Sequence, residues 1–199
     1  MSVIETWGST PEERAQDFPC DHFLAQPHQA CFRAVDVAAP VSLTFRWLCQ
    51  MRVAPYSYDW IDNFGRQSPR RRDPSNEQLR EGQRWMRIFR LVDFERDQHL
   101  TLVIDGTQAF GNVAVTYAVR RSPIGSRILV KLIFQAAWYS PQRWFLPFGD
   151  LIMMRKQLLT FKALAERERD QEAFEPYPHG PLPLSRSSCA RGRAPRSRA

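Results

Sequence analysis

The segment from Pro55 to Arg66, PYSYDWIDNFGR, holds the densest group of side chains that could do chemistry. Two tyrosines, a tryptophan, two aspartates and an asparagine fall within eight residues. The segment is predicted to form a short helix over about Tyr56–Asn63, which would place Tyr56 and Trp60 on one side and Asp59 on another. The pattern is compatible with three different roles, which depend on what surrounds it.

In the first role, Trp60 and one tyrosine pack against the rim of a sheet while the aspartates face solvent. In the second, the hydroxyl groups of Tyr56 and Tyr58 and the carboxylate of Asp59 hydrogen-bond the polar end of a mostly apolar ligand, as a few polar groups commonly do in such pockets. In the third, Asp59 acts as a general acid or base beside a tyrosine. That role requires burial to raise the pKa of Asp59 towards neutrality.

Other polar residues have equally open roles. Trp85, Arg87 and Phe89 share one side of a predicted strand, where the arginine could hold a carboxylate or simply face solvent. Arg33 has the same ambiguity. Further possible polar points in an apolar lining are Asn112, Thr116, Tyr117 and Gln135.

The elements that would position these residues follow from periodicity. The final predicted strand alternates, with Ile128, Val130 and Leu132 on one side, which fits an antiparallel sheet with one buried face. Thr10, Pro11 and Glu13 have the spacing of a capped short helix near the N-terminus. The predicted elements are strand Cys31–Val37, helix Val41–Gln50, the short helix above, a polar loop Gln67–Glu81, strands Arg84–Val92, His99–Ile104, Asn112–Arg120 and Arg127–Trp138, and a long helix Gln142–Arg169.

The long helix carries an apolar stripe with steps of three and four residues. The order of elements predicts an α+β helix-grip fold: a curved antiparallel β-sheet wraps around the long C-terminal α-helix, and two short helices follow the first strand. The stripe would be buried against the concave face. Its members are Leu151, Met154, Leu158, Phe161 and Ala165.

Three regions are predicted: an N-terminal lead-in (1–29), one folded domain (30–170) and a disordered tail rich in Arg, Pro and Ser (171–199). The chain has 199 residues, 43% of them hydrophobic, which is enough for a core. The net charge is +7, but five arginines lie in residues 181–199, so about +2 remains on the rest. The basic pI is therefore no indication of a nucleic-acid-binding surface.

Four scattered cysteines and four scattered histidines lack the spacing of a disulfide framework or a zinc site, so we expect no metal and no cofactor. The N-terminus lacks the pattern of a signal peptide, and the most apolar run is too short to cross a bilayer. A cytoplasmic location is expected. The arginine run Arg70–Arg72 is interpreted as a solvated loop rather than as a site for nucleic acid or membrane.

Four segments resemble the SRPBCC superfamily, which includes START-related lipid-transfer domains and polyketide cyclase/dehydrase-like proteins. RAVDVAAPVSLTFRWLCQM (Arg33–Met51) is similar to the opening strand and helix of that superfamily. YSYDWIDNFGR is similar to a YSYDW motif in an uncharacterised bacterial branch, and so is TWGSTPEE (Thr6–Glu13). LLTFKALAER (Leu158–Arg167) matches the terminal helix. The resemblance covers about residues 6–168 and implies a helix-grip fold with an apolar cavity, but no catalytic motif.

The expected function is therefore binding of a lipid-like or aromatic small molecule in a cavity between the sheet and the C-terminal helix, as a carrier or sensor. The first alternative is a cyclase/dehydratase-like enzyme that uses Asp59 and a tyrosine. The second is a protein-interaction module recruited through the arginines. Tyr56, Tyr58 and Trp60 are expected near the cavity entrance. The expected lining residues are Val115, Tyr117, Phe134, Leu151, Met154 and Leu158.

Overall fold

The computed structural model describes residues 3–24, 29–58, 65–86, 88–104, 112–134 and 142–174, with the backbone alone at residue 3 and over 142–150. The helices are α1 (Val3–Thr6), α2 (Pro11–Arg14), α3 (Val41–Cys49) and α4 (Gln142–Phe174), and short 3-10 turns lie at Pro19–His22, Gln50–Arg52 and Pro74–Glu77. The strands are β1 (Gln29–Val37), β2 (Arg84–Trp85), β3 (Phe89–Glu95), β4 (His99–Ile104), β5 (Val113–Ser122) and β6 (Gly125–Phe134).

The strands form one curved antiparallel sheet in the order β1-β6-β5-β4-β3-β2. The first strand pairs with β6, for example Arg33 opposite Val130, so the ends of the sheet are distant in sequence. The single strand predicted over Arg84–Val92 is wrong. Met86 has a φ of 45°, which breaks the extended backbone and lets β2 fold back on β3 with Trp85 opposite Phe89.

The C-terminal helix α4 lies across one face of the sheet, so the protein has the predicted helix-grip architecture. The apolar stripe predicted for this helix is confirmed: Leu158, Phe161 and Ala165 are fully buried. They pack with alternate residues of the strands, which is the arrangement that a three-four spacing produces. The helix also extends five residues beyond its predicted end.

One of the two short helices expected after β1 is α3, in which six of nine side chains are buried. It begins directly after Pro40, whose ring lacks the N–H that a helix start leaves unpaired. The second lies mostly outside the described residues. Its predicted first residue, Tyr56, has a φ of 57° and is not helical.

The second face of the sheet is also buried, which corrects the expectation of a single buried face. The 3-10 turn at Pro19–His22 covers it, with Phe18 and Cys20 packed on side chains from β1, β5 and β6. Three of those side chains are alanines, which let the backbone of the turn come close. The sheet residues of this outer cluster are Phe32, Ala34, Ala114, Ala118, Leu129 and Ile133.

Polar contacts hold the turn on the outer face. The backbone N–H of Cys20 donates to the hydroxyl of Thr116 at 2.9 Å, and that hydroxyl lies 2.9 Å from the hydroxyl of Thr101. The ammonium of Lys131 lies 2.7 Å from a carboxylate oxygen of Asp21. Thr116 therefore belongs to the outer face and is not a lining residue of the helix-facing side.

The chain before this turn is packed against β1 through Gly8. The N–H of Ala34 donates to the carbonyl of Trp7 at 3.0 Å, so backbone lies directly on backbone. A Cβ at Gly8 would sit 2.2 Å from the carbonyl oxygen of Ala34, and the φ of Gly8 is +74°. Only glycine satisfies both conditions at this position.

We expect Gly8→Ala to lower the free energy of unfolding by about 3 kcal/mol or more, because backbone strain and steric overlap add. Gly65→Ala is the matched control, since Gly65 has a φ of +76° but open space around its Cα. That control should cost about 1 kcal/mol. Urea denaturation of both variants measures the difference, and equal losses would show that the contact with Ala34 is not tight.

Arg127 links the N-terminal helices to the sheet. Its guanidinium donates to both carboxylate oxygens of Glu13, at 2.5 and 3.0 Å, to Asp36 at 3.0 Å and to the carbonyl of Gly8 at 2.7 Å. Glu13 also accepts from the N–H of Thr10 at 2.8 Å, which completes the predicted capping box. Burial alone would raise the pKa of Glu13, but these hydrogen bonds outweigh it and hold that pKa below its usual value.

A carboxylate with a lowered pKa stabilises the fold at neutral pH and loses that contribution as pH falls through its folded-state pKa. We therefore expect Glu13→Gln to destabilise the protein by about 1–2 kcal/mol at pH 7. The gap between variant and parent should close as the pH falls below about 4. Unfolding free energies across this pH range test it. The exposed Glu81→Gln supplies the control, and a gap that stays constant with pH would contradict the assignment.

Candidate functional site

The candidate site lies on the helix-facing side of the sheet, where Leu132 keeps accessible surface. This residue is on β6, second in the sheet order, and its neighbours across the sheet are Cys31 on β1 and Val115 on β5. Those neighbours are each 1% exposed, whereas Leu132 is only partly buried although it packs against the core beneath α4. An interior leucine flanked by buried residues keeps accessible surface when space lies over it.

A chain of hydrogen bonds joins the sheet to α4 beside Leu132. It begins at Tyr117, which lies two residues along β5 from Val115, the residue opposite Leu132. The hydroxyl of Tyr117 donates to the side-chain oxygen of Gln157 at 2.8 Å and lies 3.3 Å from the sulfur of Met154. The amide of Gln157 donates in turn to the carbonyl of Pro55 at 2.6 Å. Tyr117 and Gln157 are 2% and 4% exposed. A polar group in such a position needs partners because its desolvation is costly.

Arg33 brings a cation to the same face. It lies opposite Val130, which lies opposite Tyr117 on the next strand, so the three residues form one row across the sheet. Its side chain is 1% exposed and donates to the carbonyl of Phe32 at 2.8 Å. The sequence left open whether Arg33 is solvated or internal, and the structure shows that it is internal. A buried guanidinium requires a hydrogen-bonded environment.

Tyr56 is not near an entrance, as the sequence had suggested, but deep in the core. It is 1% exposed, with its ring 5.0 Å from that of Phe161 and 6.5 Å from that of Trp47. Its positive φ turns the chain sharply after Pro55, so the side chain inserts beneath α4 instead of continuing a helix. Aromatic contacts of this geometry add to the burial of the rings.

The remaining predicted site residues divide into four groups. Val115, Met154 and Leu158 are core residues between the sheet and α4, and Phe134 is buried at the end of β6. Tyr58 and Leu151 are half-buried. Asn112 is exposed directly before β5. Outside the described residues lie Asp59, Trp60, Arg87 and Gln135.

Sequence reasoning missed Gln157 and Cys31. Gln157 interrupts the helical pattern with a polar side chain, which usually indicates a solvent-facing position, but it is next to Leu158 and one turn from Met154. That proximity to the stripe was the available signal. Cys31 could have been placed beside Leu132 from the alternation of both strands.

Burial raises the pKa of two other thiols, Cys20 to about 11 and Cys49 to about 12, so they remain protonated at neutral pH.

Within the described ranges, no three His, Cys, Asp or Glu side chains come together in a way that could hold a metal ion. None of the helices described is both long enough and apolar enough to cross a membrane.

The Tyr117–Gln157 hydrogen bond should couple the two residues energetically. We expect Tyr117→Phe and Gln157→Leu each to destabilise the protein by about 1–3 kcal/mol, because each leaves a buried polar group without its partner. The double variant should lose about 1 kcal/mol less than the sum. Urea denaturation of the four proteins tests this coupling.

Tyr117→Phe combined with Gln171→Leu is the control pair, since Gln171 is exposed near the end of the same helix. That pair should be additive to within about 0.5 kcal/mol. Additivity in the Tyr117–Gln157 pair as well would mean that their hydrogen bond does not stabilise the fold.

No family model matches the chain, and no curated protein matches it in sequence. Solved structures do match. A protein from Mesorhizobium loti is 12% identical, with 70% of this chain and 98% of that chain covered and a TM-score of 0.48. A protein from Nitrosomonas europaea is 11% identical, with 70% and 95% covered and a TM-score of 0.48.

A third match is the di-domain ARO/CYC StfQ from the steffimycin biosynthetic pathway. It is 10% identical, with 72% of this chain and 52% of that chain covered and a TM-score of 0.47. At this level of identity and overlap, these similarities carry no argument about what the present chain binds or does.

Proposed function

We propose that the protein binds a hydrophobic or amphipathic small molecule between the sheet and α4, as a carrier or sensor of the kind that the SRPBCC resemblance implies. The observation that carries this proposal is the accessible surface of Leu132 on the inner face of the sheet. Its neighbours across the sheet, Cys31 and Val115, are buried, so an apolar ligand seated there would replace water over a leucine side chain. The walls would be formed by Val115, Phe134, Leu151 and Met154.

The polar groups of the interior suit an amphipathic ligand. Arg33 and Tyr117 share the row next to that of Leu132, and both side chains are buried and hydrogen-bonded. Pockets for small molecules combine such an apolar lining with a few polar groups that orient the ligand. Burying about 300 Å² of ligand surface would contribute about 7 kcal/mol before the cost of association, enough for micromolar binding.

The space over Leu132 can be tested with a pair of enlargements. We expect Leu132→Phe to leave the free energy of unfolding unchanged or raise it by up to about 1 kcal/mol, because the ring enters unfilled space. Ile128→Phe is the matched control on the same strand and face, where Ile128 is fully buried. Overpacking there should cost about 1–3 kcal/mol. Equal losses in both variants would show that no space lies over Leu132.

The ligand itself can be sought by native mass spectrometry followed by denaturing extraction. A small molecule that co-purifies with the parent protein and the Ile128→Val control, but is displaced by Leu132→Phe in a folded protein, supports the proposal and identifies the ligand class. If a panel of lipids and aromatic compounds also gives no thermal shift with the parent protein, the binding proposal is rejected.

The same protein preparation distinguishes the enzymatic alternative. A cyclase or dehydratase using Asp59 would lose turnover on Asp59→Asn while keeping its affinity for the ligand. A carrier or sensor has no turnover to lose, so this variant would affect binding alone.

A further inference from the structure

A second concave surface lies away from the proposed ligand site. It is a depression of about 520 Å³ where the loop carrying Arg70–Arg72 passes α3 and the C-terminal part of α4. It does not depend on the proposed function. The residues that line it are Trp47, Arg70, Arg71, Arg72, Pro74, Arg167, Glu168 and Gln171.

The charges in this depression are not balanced. Arg72 is neutralised, since its guanidinium lies 2.8 Å from a carboxylate oxygen of Glu168 and also pairs with Glu77. Arg167 donates to the carbonyl of Arg70, and no carboxylate of the described residues pairs with it. Among the described residues, the exposed guanidiniums of Arg70 and Arg71 have no acidic partner either. Three positive charges therefore face one small volume of solvent.

The loop that carries Arg70–Arg72 is fixed by hydrogen bonds to the 3-10 turn that follows α3, so it cannot move freely to separate its positive charges. The amide of Gln50 donates to the carbonyl of Asp73 at 3.1 Å, and the N–H of Asp73 donates to the side-chain oxygen of Gln50 at 3.0 Å. The side-chain amide of Asn76 donates a second hydrogen bond to that oxygen at 3.0 Å. Together with the Arg72–Glu168 ion pair, these contacts hold the like charges of the loop close together.

Trp47 also lines the depression, although its side chain as a whole is 1% exposed. Its indole N–H is itself buried and has no hydrogen-bond partner among the described residues. The ring therefore contributes an apolar wall beside the three arginines, and the arginines alone supply the groups that an anion would contact.

We propose that this depression binds a small molecule that carries phosphate groups. Guanidinium groups match phosphate oxygens with paired hydrogen bonds, and three of them favour a multiply charged anion over a single carboxylate. The partial negative charge of the end of α4, about half a unit, is small beside them. The depression is within the size range of small-molecule sites, so there is room for an organic group beside the phosphates.

Calorimetric titration of the full chain with inorganic pyrophosphate at low salt tests this proposal. Saturable binding is expected, and Arg70→Gln/Arg71→Gln should weaken it about tenfold or more. The matched control is Arg80→Gln/Arg121→Gln, which removes two exposed arginines elsewhere and should keep the parent affinity. The arginines of residues 181–199 are present in every protein, so only differences between variants report on the depression.

Arg167→Gln provides a second variant on a different element and should also weaken binding, with an unchanged melting temperature in the absence of ligand. The proposal is overturned if pyrophosphate shows no saturable binding at millimolar concentration. It is also overturned if both double variants lose affinity equally, since that would indicate a general charge effect. Binding only to phosphatidylserine-containing vesicles or to single-stranded DNA, without pyrophosphate binding, would overturn it in favour of a macromolecular surface.

Discussion

The structure depends on a sheet whose central strands are covered on both faces. β5 and β6 alternate apolar residues inward and outward, with Tyr117 and Ile128 beneath α4 and Ala118 and Leu129 beneath the N-terminal turn. Neither face can be left in water at low cost, because each carries contiguous apolar surface. The N-terminal segment is therefore as much a part of the folded body as the long helix. The alanines beneath it, Ala34, Ala114 and Ala118, determine how closely its turn packs on the sheet.

Packing on the inner face is uneven, and this unevenness gives the proposed site its character. Towards the C-terminal part of α4, Phe161 and Ala165 close tightly against the sheet. On the same face, Leu132 keeps accessible surface. The buried polar side chains of Tyr117 and Arg33 lie in the neighbouring row of side chains across the sheet. Protein interiors are normally packed to the density of organic crystals, so an interior leucine that keeps accessible surface beside buried polar groups is a departure that binding would explain.

Much of the architecture was predictable because it follows from local patterns. The three-four spacing from Leu151 to Ala165 identified the buried side of α4, and Thr10 with Glu13 identified a helix cap. The break at Met86 was not predictable, since a positive φ at a methionine reflects tertiary packing that overrides local preference. The burial of Tyr117 and Met154 on the inner side of the sheet was predictable from the alternation of β5 and the stripe of α4, but the position of Arg33 depended on which face of β1 met the helix.

Sequence separation explains why the cover of the outer face escaped prediction. A chain read from its start shows Phe18 and Cys20 among prolines and polar residues, with nothing nearby to pack on. Their partners, Thr116 and Lys131, come about a hundred residues later. Phe18 and Cys20 have an apolar surface to pack on only after the sheet has assembled.

The same separation in sequence affects how the protein folds during its synthesis on the ribosome. Among the described strands, β1 pairs only with β6, so the opening segments must wait until β6 (Gly125–Phe134) has been synthesised. Contacts of such high order make folding slow, because long loops must close before any pairing stabilises them. During that delay, the six charged residues and three prolines before Gln29 would help to keep the nascent chain from associating with others.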